Sequence, residues 1–382
     1  MSESKYASDP FKKIWFSVID KVYLPRPDHL CYNLKASQKR STIDRAAVKA
    51  ILAAYELDLI GEPRVLGGGN RSYSLLVHTS AGKKILKKYK PSLGQSTIIQ
   101  EHSLLTYLAQ TDFPSPHLVT TATGQTLLHR GRPRLALFDY IEGGFQYYHY
   151  MLLPGQLQQF ITMAGEILAL LHQTVRDFAP QGYNPDGFKS QHEERWRDLA
   201  WLVTRLDHCV AETVHLKEKG VDNKEAAWLL QQASYLEKSL IQLDAILKNA
   251  ALPRLIIHGD YGPYNLLFRR NAPTIVLDFE MARLDWRLTE LIGAWHRFGY
   301  SQLGRRLTRM KWLLDAYQTY FPLTKDETQL MPQVWEFLDL RQCVQNWHSY
   351  CQTGNAARLA KARYNLQTAV WIKMNQNIRL VI

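Results

Sequence analysis

Residues 256–265 read IIHGDYGPYN, and a short way on comes IVLDFE, residues 275–280. Asp260 and Asn265 lie five positions apart just beyond an apolar pair, and Asp278 closes a second apolar run. A carboxylate and an amide oxygen are hard donors, suited to a magnesium ion and a hydroxyl rather than to a thiol or a soft metal. If Asp278 comes to stand beside Asn265, the two supply part of a magnesium site completed by phosphate oxygens. Asp260 is then left to act on an acceptor hydroxyl. The chemistry is phosphoryl transfer; the plainer alternative is a loop of capped turns.

The pattern H-x-D-x-x-x-x-N followed by D-F is that of the kinase catalytic and metal loops, with Gly259 where protein kinases carry Arg. In that scheme Asp260 accepts or orients the hydroxyl, while Asn265 and Asp278 hold magnesium. His258 reads as a residue that holds the loop by backbone hydrogen bonds rather than as a base. Glu280 is either a further metal-site residue or a polar residue where the strand ends.

Such a site also needs a cation for the nucleotide phosphates, an anion to hold that cation and a pliable backbone lid. In LGGGNRSYSLLV, residues 66–77, Gly67, Gly68 and Gly69 let backbone N–H groups approach phosphate, and Asn70 and Ser72 follow them. In GKKILKKYK, residues 82–90, strand alternation puts Ile85, Lys87 and Tyr89 on one face and Lys84, Leu86 and Lys88 on the other. Lys87 is the candidate phosphate cation, with Ile85 over the adenine. Lys83, Lys84, Lys88 and Lys90 read as solvated. Glu101, one turn into the next helix, is the candidate partner of Lys87, against the alternative of an exposed helical charge. In LALFDYIEGG, residues 135–144, the Asp139 C=O and the Ile141 N–H are spaced to meet a purine.

These residues need scaffolding, and the pattern of the chain supplies it. A helix opens near Ser41 or Thr42 as N-cap, then three short strands run from Pro63 to Lys90 as an antiparallel meander. STIIQEHSLLTYLAQ has helical apolar spacing, two more strands lead to a joint at Glu142–Gly144, and helices dominate beyond it except at 255–280. Strands first and helices later predict an α+β protein with a small antiparallel-sheet lobe and a larger helical lobe. The division expected is an N-terminal extension at 1–40, a nucleotide-binding lobe at 41–141 and a catalytic, acceptor-binding lobe at 142–382. A cleft between lobes is the expected site.

Composition narrows the setting. The chain has 382 residues, 46% of them hydrophobic, enough for a sizeable core. Its 47 Lys and Arg against 35 Asp and Glu give a net charge of +12, which favours anionic partners such as nucleotide phosphates. Cys31, Cys209, Cys343 and Cys351 show no metal-ligand spacing and read as reduced core thiols, which points to the cytoplasm. The first residues carry no signal-peptide pattern, and no apolar run approaches the roughly 20 residues that cross a bilayer. No membrane or nucleic-acid partner is expected, and the oligomeric state, monomer or homodimer, stays open.

Taken together, LGGGNRSYSLLV, GKKILKKY, QEHSLLTYL, FPSP, LFDYIEG, EILALLH, HGDYGPYNLLF, VLDFEMARLDWRLTELI and LLDAYQTYFPLTKDE come in the order seen in the aminoglycoside phosphotransferase and choline kinase family. The chain resembles that family over about residues 45–330. Within it, the likeness is to the group holding the type II homoserine kinases and spore-coat kinase-like proteins. The resemblance implies a bilobal protein-kinase-like fold, ATP with Mg2+, and transfer of the γ-phosphate to a small-molecule hydroxyl. It makes Asp260 the catalytic residue, Asn265 and Asp278 the magnesium ligands, Lys87 the phosphate-binding lysine and Glu101 its partner. Glu290 stands where the family usually has Asp.

A protein kinase is the nearest rival, but only the five residues 281–285 separate DFE from the WRLTELIGAW helix, too few for a peptide-positioning activation segment. A kinase-like binding or structural protein is the rival from another class. The acceptor is expected among amino alcohols, sugars, homoserine-like and aminoglycoside-like molecules, with polycations disfavoured by the basic chain. The aromatic residues of FQYYHYM and VWEFLDLRQCVQNWHSY either wall an acceptor site or form helix core.

Overall fold

Helix α1 (Arg45–Leu52) begins where the Asp44 carboxylate accepts the free amides of Ala46 and Ala47. The sequence pointed to Ser41 or Thr42 as the cap, and both lie outside the described residues. Asp44 takes the role because an anion at this position also faces the positive end of the helix dipole. The computed structural model describes residues 44–68, 72–91, 93–129, 134–146, 154–178, 198–221, 223–269, 272–301, 304–305 and 307–375. They fall into two compact units, one drawn from 1–188 and 258–282, the other from 189–257 and 283–382.

In the first unit, β1 (Leu59–Gly68), β2 (Ser72–Thr79) and β3 (Gly82–Tyr89) form the expected meander. Helix α2 (Gln95–Leu108) follows, then β4 (Leu118–Val119), β5 (Leu128–His129) and β6 (Arg134–Asp139). The sheet order is β1-β2-β3-β6-β4, with β5 on β6, and every pairing is antiparallel. Alternation divides the faces. Leu75, Val77, Leu86, Leu135 and Leu137 bury against Val48, Leu52 and Tyr55, so α1 and the turn after it seal one face. Lys87 is therefore left on the opposite face. Next come β7 (Gly144–Phe145) and α3 (Pro154–Thr174). β9 (Leu266–Arg269) and β10 (Ala272–Val276) complete a small sheet ordered β10-β9-β7.

The second unit holds α4 (Leu199–Glu218), α5 (Lys224–Leu247), β8 (Arg254–Ile257), β11 (Arg283–Trp286), α6 (Arg287–Gly299), β12 (Tyr300–Ser301), β13 (Gly304–Arg305), α7 (Leu307–Tyr320), α8 (Lys325–Thr353) and α9 (Ala356–Met374). Ile257 pairs with Arg283 in the β8–β11 ladder, so the residues flanking segment 258–282 are neighbours. Trp335, Phe337, Trp347 and Tyr350 are buried, which assigns the aromatic residues of α8 to core. Cys209 and Cys343 are buried free thiols and Cys351 is a half-buried one. Among the described residues no helix is long and apolar enough to cross a membrane.

The start of α8 joins two devices. Thr324 caps it in a reciprocal box with Glu327, and the same Glu327 takes the buried Arg287 guanidinium, whose Nε lies 2.7 Å from Oε1. Glu327→Gln can still close the box but leaves Arg287 without its anion, so a loss of about 3 kcal/mol is expected. Thr324→Ala removes only the cap and should cost about 1 kcal/mol. Denaturant midpoints compare the two; equal small shifts would show that the ion pair contributes nothing beyond the cap.

Candidate active site

Lys87 emerges from β3 on the face turned to α2 and is buried. Its Nζ lies 3.0 Å from Glu101 Oε1, 2.8 Å from Glu280 Oε1 and 3.4 Å from Asp278 Oδ1. Burial works to lower its pKa, but Glu101, Tyr89, Asp278 and Glu280 outweigh that and hold it well above the ordinary lysine value. Glu101 is shifted upward as well, for the opposite reason. Burial, reinforced by Glu280 and Asp278, pushes it up to about 7 against the pull of Lys87. One ammonium thus faces three carboxylates, of which Glu101 and Glu280 are enclosed and Asp278 half-exposed. Glu101 sits near the middle of α2, almost two turns in rather than the one turn read from the sequence, because the helix starts at Gln95.

Segment 258–282 is tied by short bonds. His258 Nδ1 accepts the Asp260 N–H at 3.2 Å, so Nε2 carries the proton and donates to Leu277 O at 2.8 Å. The histidine is a brace, as its place in the sequence suggested. Gly259 has φ +79°, a left-handed conformation that explains glycine where a protein kinase has Arg. Asn265 donates through Nδ2 to Asp260 O at 2.9 Å, with Asp260 Oδ2 at 3.5 Å, and its own carbonyl accepts the Leu277 N–H at 2.8 Å. The strand end that carries Asp278 is thereby fastened to the loop that carries Asp260. Asp278 itself adopts φ +63°, strained for a residue with a Cβ, and its carboxylate is half-exposed. Beneath the loop, Tyr261 is buried and donates to Ala164 O on α3 at 2.7 Å.

The donor set suits a divalent cation. Asn265 spends its amide nitrogen on Asp260, which turns Oδ1 to the other side of the group as an available oxygen ligand. Asp278 presents an accessible carboxylate, and the surplus of negative charge around Lys87 calls for a further cation.

The predicted residues are thus gathered in two linked groups, Lys87 with Glu101 and Asp278, and Asp260 with Asn265. Glu280 is buried on Lys87 and so joins the charge cluster, a role the sequence left between two others. Lys84, read as solvated, is mostly enclosed and paired with Asp139 Oδ1 at 2.6 Å, since the β3–β6 register sets the two opposite. Asp139 N–H donates to His117 O, and Ile141 is half-buried just beyond β6. Ile85 is half-buried opposite Phe138. Gly68 closes β1 opposite Tyr73 and Ser72 opens β2 opposite Tyr89, while Gly69 and Asn70 lie outside the described residues. Residues 147–151 of FQYYHYM also lie outside them. Sequence reasoning missed Tyr264, whose hydroxyl donates to Asp260 Oδ1 at 2.8 Å, and Gln146, which donates to Tyr264 O at 2.6 Å. Only the presence of a tyrosine inside the motif hinted at the first.

A sheet-borne lysine held by a helix glutamate, followed by an Asp–Asn loop and an acidic strand end, defines a phosphotransferase of protein-kinase-like fold. The profile of the phosphotransferase enzyme (APH) family matches residues 62–323, and the chain belongs to that family. Homoserine kinase from Sinorhizobium medicae (strain WSM419) is 25% identical over 312 residues, covering 81% of this chain and 86% of that protein. The fold is shared with amicoumacin kinase hAmiN, solved with AMP-PNP and Ca2+, at TM-score 0.59 and 14% identity over 85% of this chain and 92% of that one. A microcompartment-associated aminopropanol kinase gives TM-score 0.55 and 18% identity over 85% and 95%.

Two tests follow from the loop and its support. An alanine at Gly259 must hold the same left-handed backbone, so Gly259→Ala should lose roughly 1–2 kcal/mol of stability and displace Asp260; unchanged melting and turnover would show that the turn is not demanding. Glu166, two residues beyond Ala164, has an enclosed Oε2 without a hydrogen-bond partner, and burial pushes its carboxyl from 4.5 up to about 7. The folded state therefore keeps a proton that the unfolded chain has released, so this contribution is full below pH 4.5 and is lost as pH rises through 7. Glu166→Gln should melt above wild type at pH 7.5 and lose that advantage at pH 4.5. A gap independent of pH would refute the assignment.

Proposed function

We propose that the chain is an ATP- and Mg2+-dependent kinase that moves the γ-phosphate to the hydroxyl of a small amino alcohol of the homoserine type. The observation that carries this reading is the buried Lys87 shared among Glu101, Glu280 and Asp278 in the same unit as the Asp260–Asn265 loop. Asp260 orients the acceptor hydroxyl and accepts its proton. The hydroxyl oxygen bonds to the γ-phosphorus as the bond to the bridging oxygen breaks, and ADP departs. Lys87 takes the α and β phosphates, and Glu101 and Glu280 keep it in place. Asn265 and Asp278 would hold Mg2+, which would supply neutralisation of the phosphate charge. Gly68, Gly69, Asn70 and Ser72 form the lid, and Ile85, the Asp139 C=O and the Ile141 N–H receive the adenine. Residues 41–141 serve the nucleotide and 142–382 catalysis and the acceptor, in a cytoplasmic protein.

Similarity to homoserine kinase over four-fifths of the chain supports the acceptor class. Net charge adds to it, because +12 suits an acceptor that carries its own carboxylate better than a polycation. The test is ADP release with and without Mg2+ over L-homoserine, aminopropanol, choline and an aminoglycoside. Turnover should be greatest with homoserine and require Mg2+, and Asp260→Asn should lower kcat by about a thousandfold with unchanged melting. Binding of Mg-ATP without turnover on any acceptor would indicate a kinase-like binding protein instead.

A further inference from the structure

Behind Lys87 stands a neutral chain of side chains that the reaction does not use. Tyr89, two residues on and on the same face of β3, places its ring centroid 4.9 Å from Lys87 Nζ, and the Phe138 ring is 5.9 Å away. The Tyr89 hydroxyl lies 3.0 Å from His102 Nε2, and His102 Nδ1 lies 2.9 Å from Thr126 Oγ1. Tyr89 and His102 are 1% and 3% exposed, so water cannot substitute for these bonds. Burial, helped by the charge of Lys87, lowers His102 to about 3, and the ring is neutral wherever the protein works. Burial first, then Glu101, raises the Tyr89 phenol well above its ordinary value, so it stays protonated. Two neutral proton orders satisfy the chain: Tyr89 O–H donates to Nε2 and Nδ1–H to Thr126 Oγ1, or Nε2–H donates to the Tyr89 oxygen and the Thr126 hydroxyl to Nδ1.

Ion pairs alone are undemanding in direction, and a lysine has many rotamers with which to satisfy them. A ring face beside the ammonium removes most of these, provided that the ring itself cannot tilt. We propose that His102 is a positioning residue for phosphoryl transfer: its Nε2 anchors the Tyr89 hydroxyl, the anchored ring walls Lys87, and Thr126 holds the imidazole in its orientation. The inference rests on the reading of Lys87 as the phosphate-binding cation.

The test uses the full chain with Mg2+ and compares His102→Leu, His102→Gln, Tyr89→Phe and the double variant His102→Leu with Tyr89→Phe. The readouts are KM for ATP, KM for the acceptor, kcat, affinity for a non-hydrolysable ATP analogue, and melting temperature. His102→Leu should raise KM for ATP and weaken the analogue about tenfold with little change in acceptor KM. His102→Gln, which can still accept the tyrosine proton, should recover much of that loss. Tyr89→Phe should match His102→Leu, and the double variant should be no worse than either alone, because both cut one link. Additive losses, equal changes in both KM values, or a folded His102→Leu with wild-type nucleotide affinity would overturn the proposal. Should His102→Leu fail to fold, Tyr89→Phe decides by the same criterion. A wild-type chain that neither binds the analogue nor releases ADP would instead sink the reading of Lys87, and the inference with it.

Discussion

A buried ammonium has to be paired, and the way Lys87 is paired organises the first unit. Leaving such a charge unpaired costs several kcal/mol, so β3, α2 and the strand end at 278–280 are held where their carboxylates can reach it. Two of the three partners are remote in the chain; Asp278 lies 191 positions from Lys87. A single cation therefore fastens a local meander to a remote loop. Because the carboxylates outnumber it, the fastening stays electrostatically incomplete and keeps an appetite for further positive charge. Structure and chemistry draw on one imbalance, which is why the site is both buried and reactive.

The loop that follows is stiffened by different means. His258, Asn265 and Leu277 exchange hydrogen bonds in which each partner is a backbone group or is oriented by one. Neutral bonds of this kind add little net stability one by one, but each left unmade in a buried place would cost more. Their effect is directional. They permit left-handed backbone at Gly259 and Asp278 on either side of the motif and aim two acidic side chains that would otherwise repel.

How much of this was legible follows from the range of each interaction. Period-two alternation set Lys87 on the face of Ile85, apart from Lys84 and Lys88, and motif spacing selected Asp260, Asn265 and Asp278, because both are set by local backbone geometry. The α+β order of strands and helices was legible for the same reason. The salt bridge of Lys84 with Asp139 was not, since it needs the β3–β6 register, which depends on how the whole sheet closes. Glu280 was ambiguous because its role is defined by a lysine nearly two hundred residues earlier. The cap at Asp44 was misplaced because Ser41, Thr42 and Asp44 all carry capping side chains, and one turn of sequence does not say where the backbone first coils. Tyr264 was missed because an exposed aromatic inside a loop has no periodicity to reveal its partner.

The aromatic residues of α8 bear on specificity by being unavailable. Trp335 packs on Trp295 with ring centroids 4.2 Å apart, and Trp347 spends its indole N–H on Thr213 at 3.0 Å. Rings committed in this way cannot also form a cage for a quaternary ammonium, which needs exposed π-faces. Those α8 rings are therefore core rather than the wall of an acceptor site. Charge bears on the acceptor as well, since a basic chain attracts a carboxylate and repels a molecule that is only cationic.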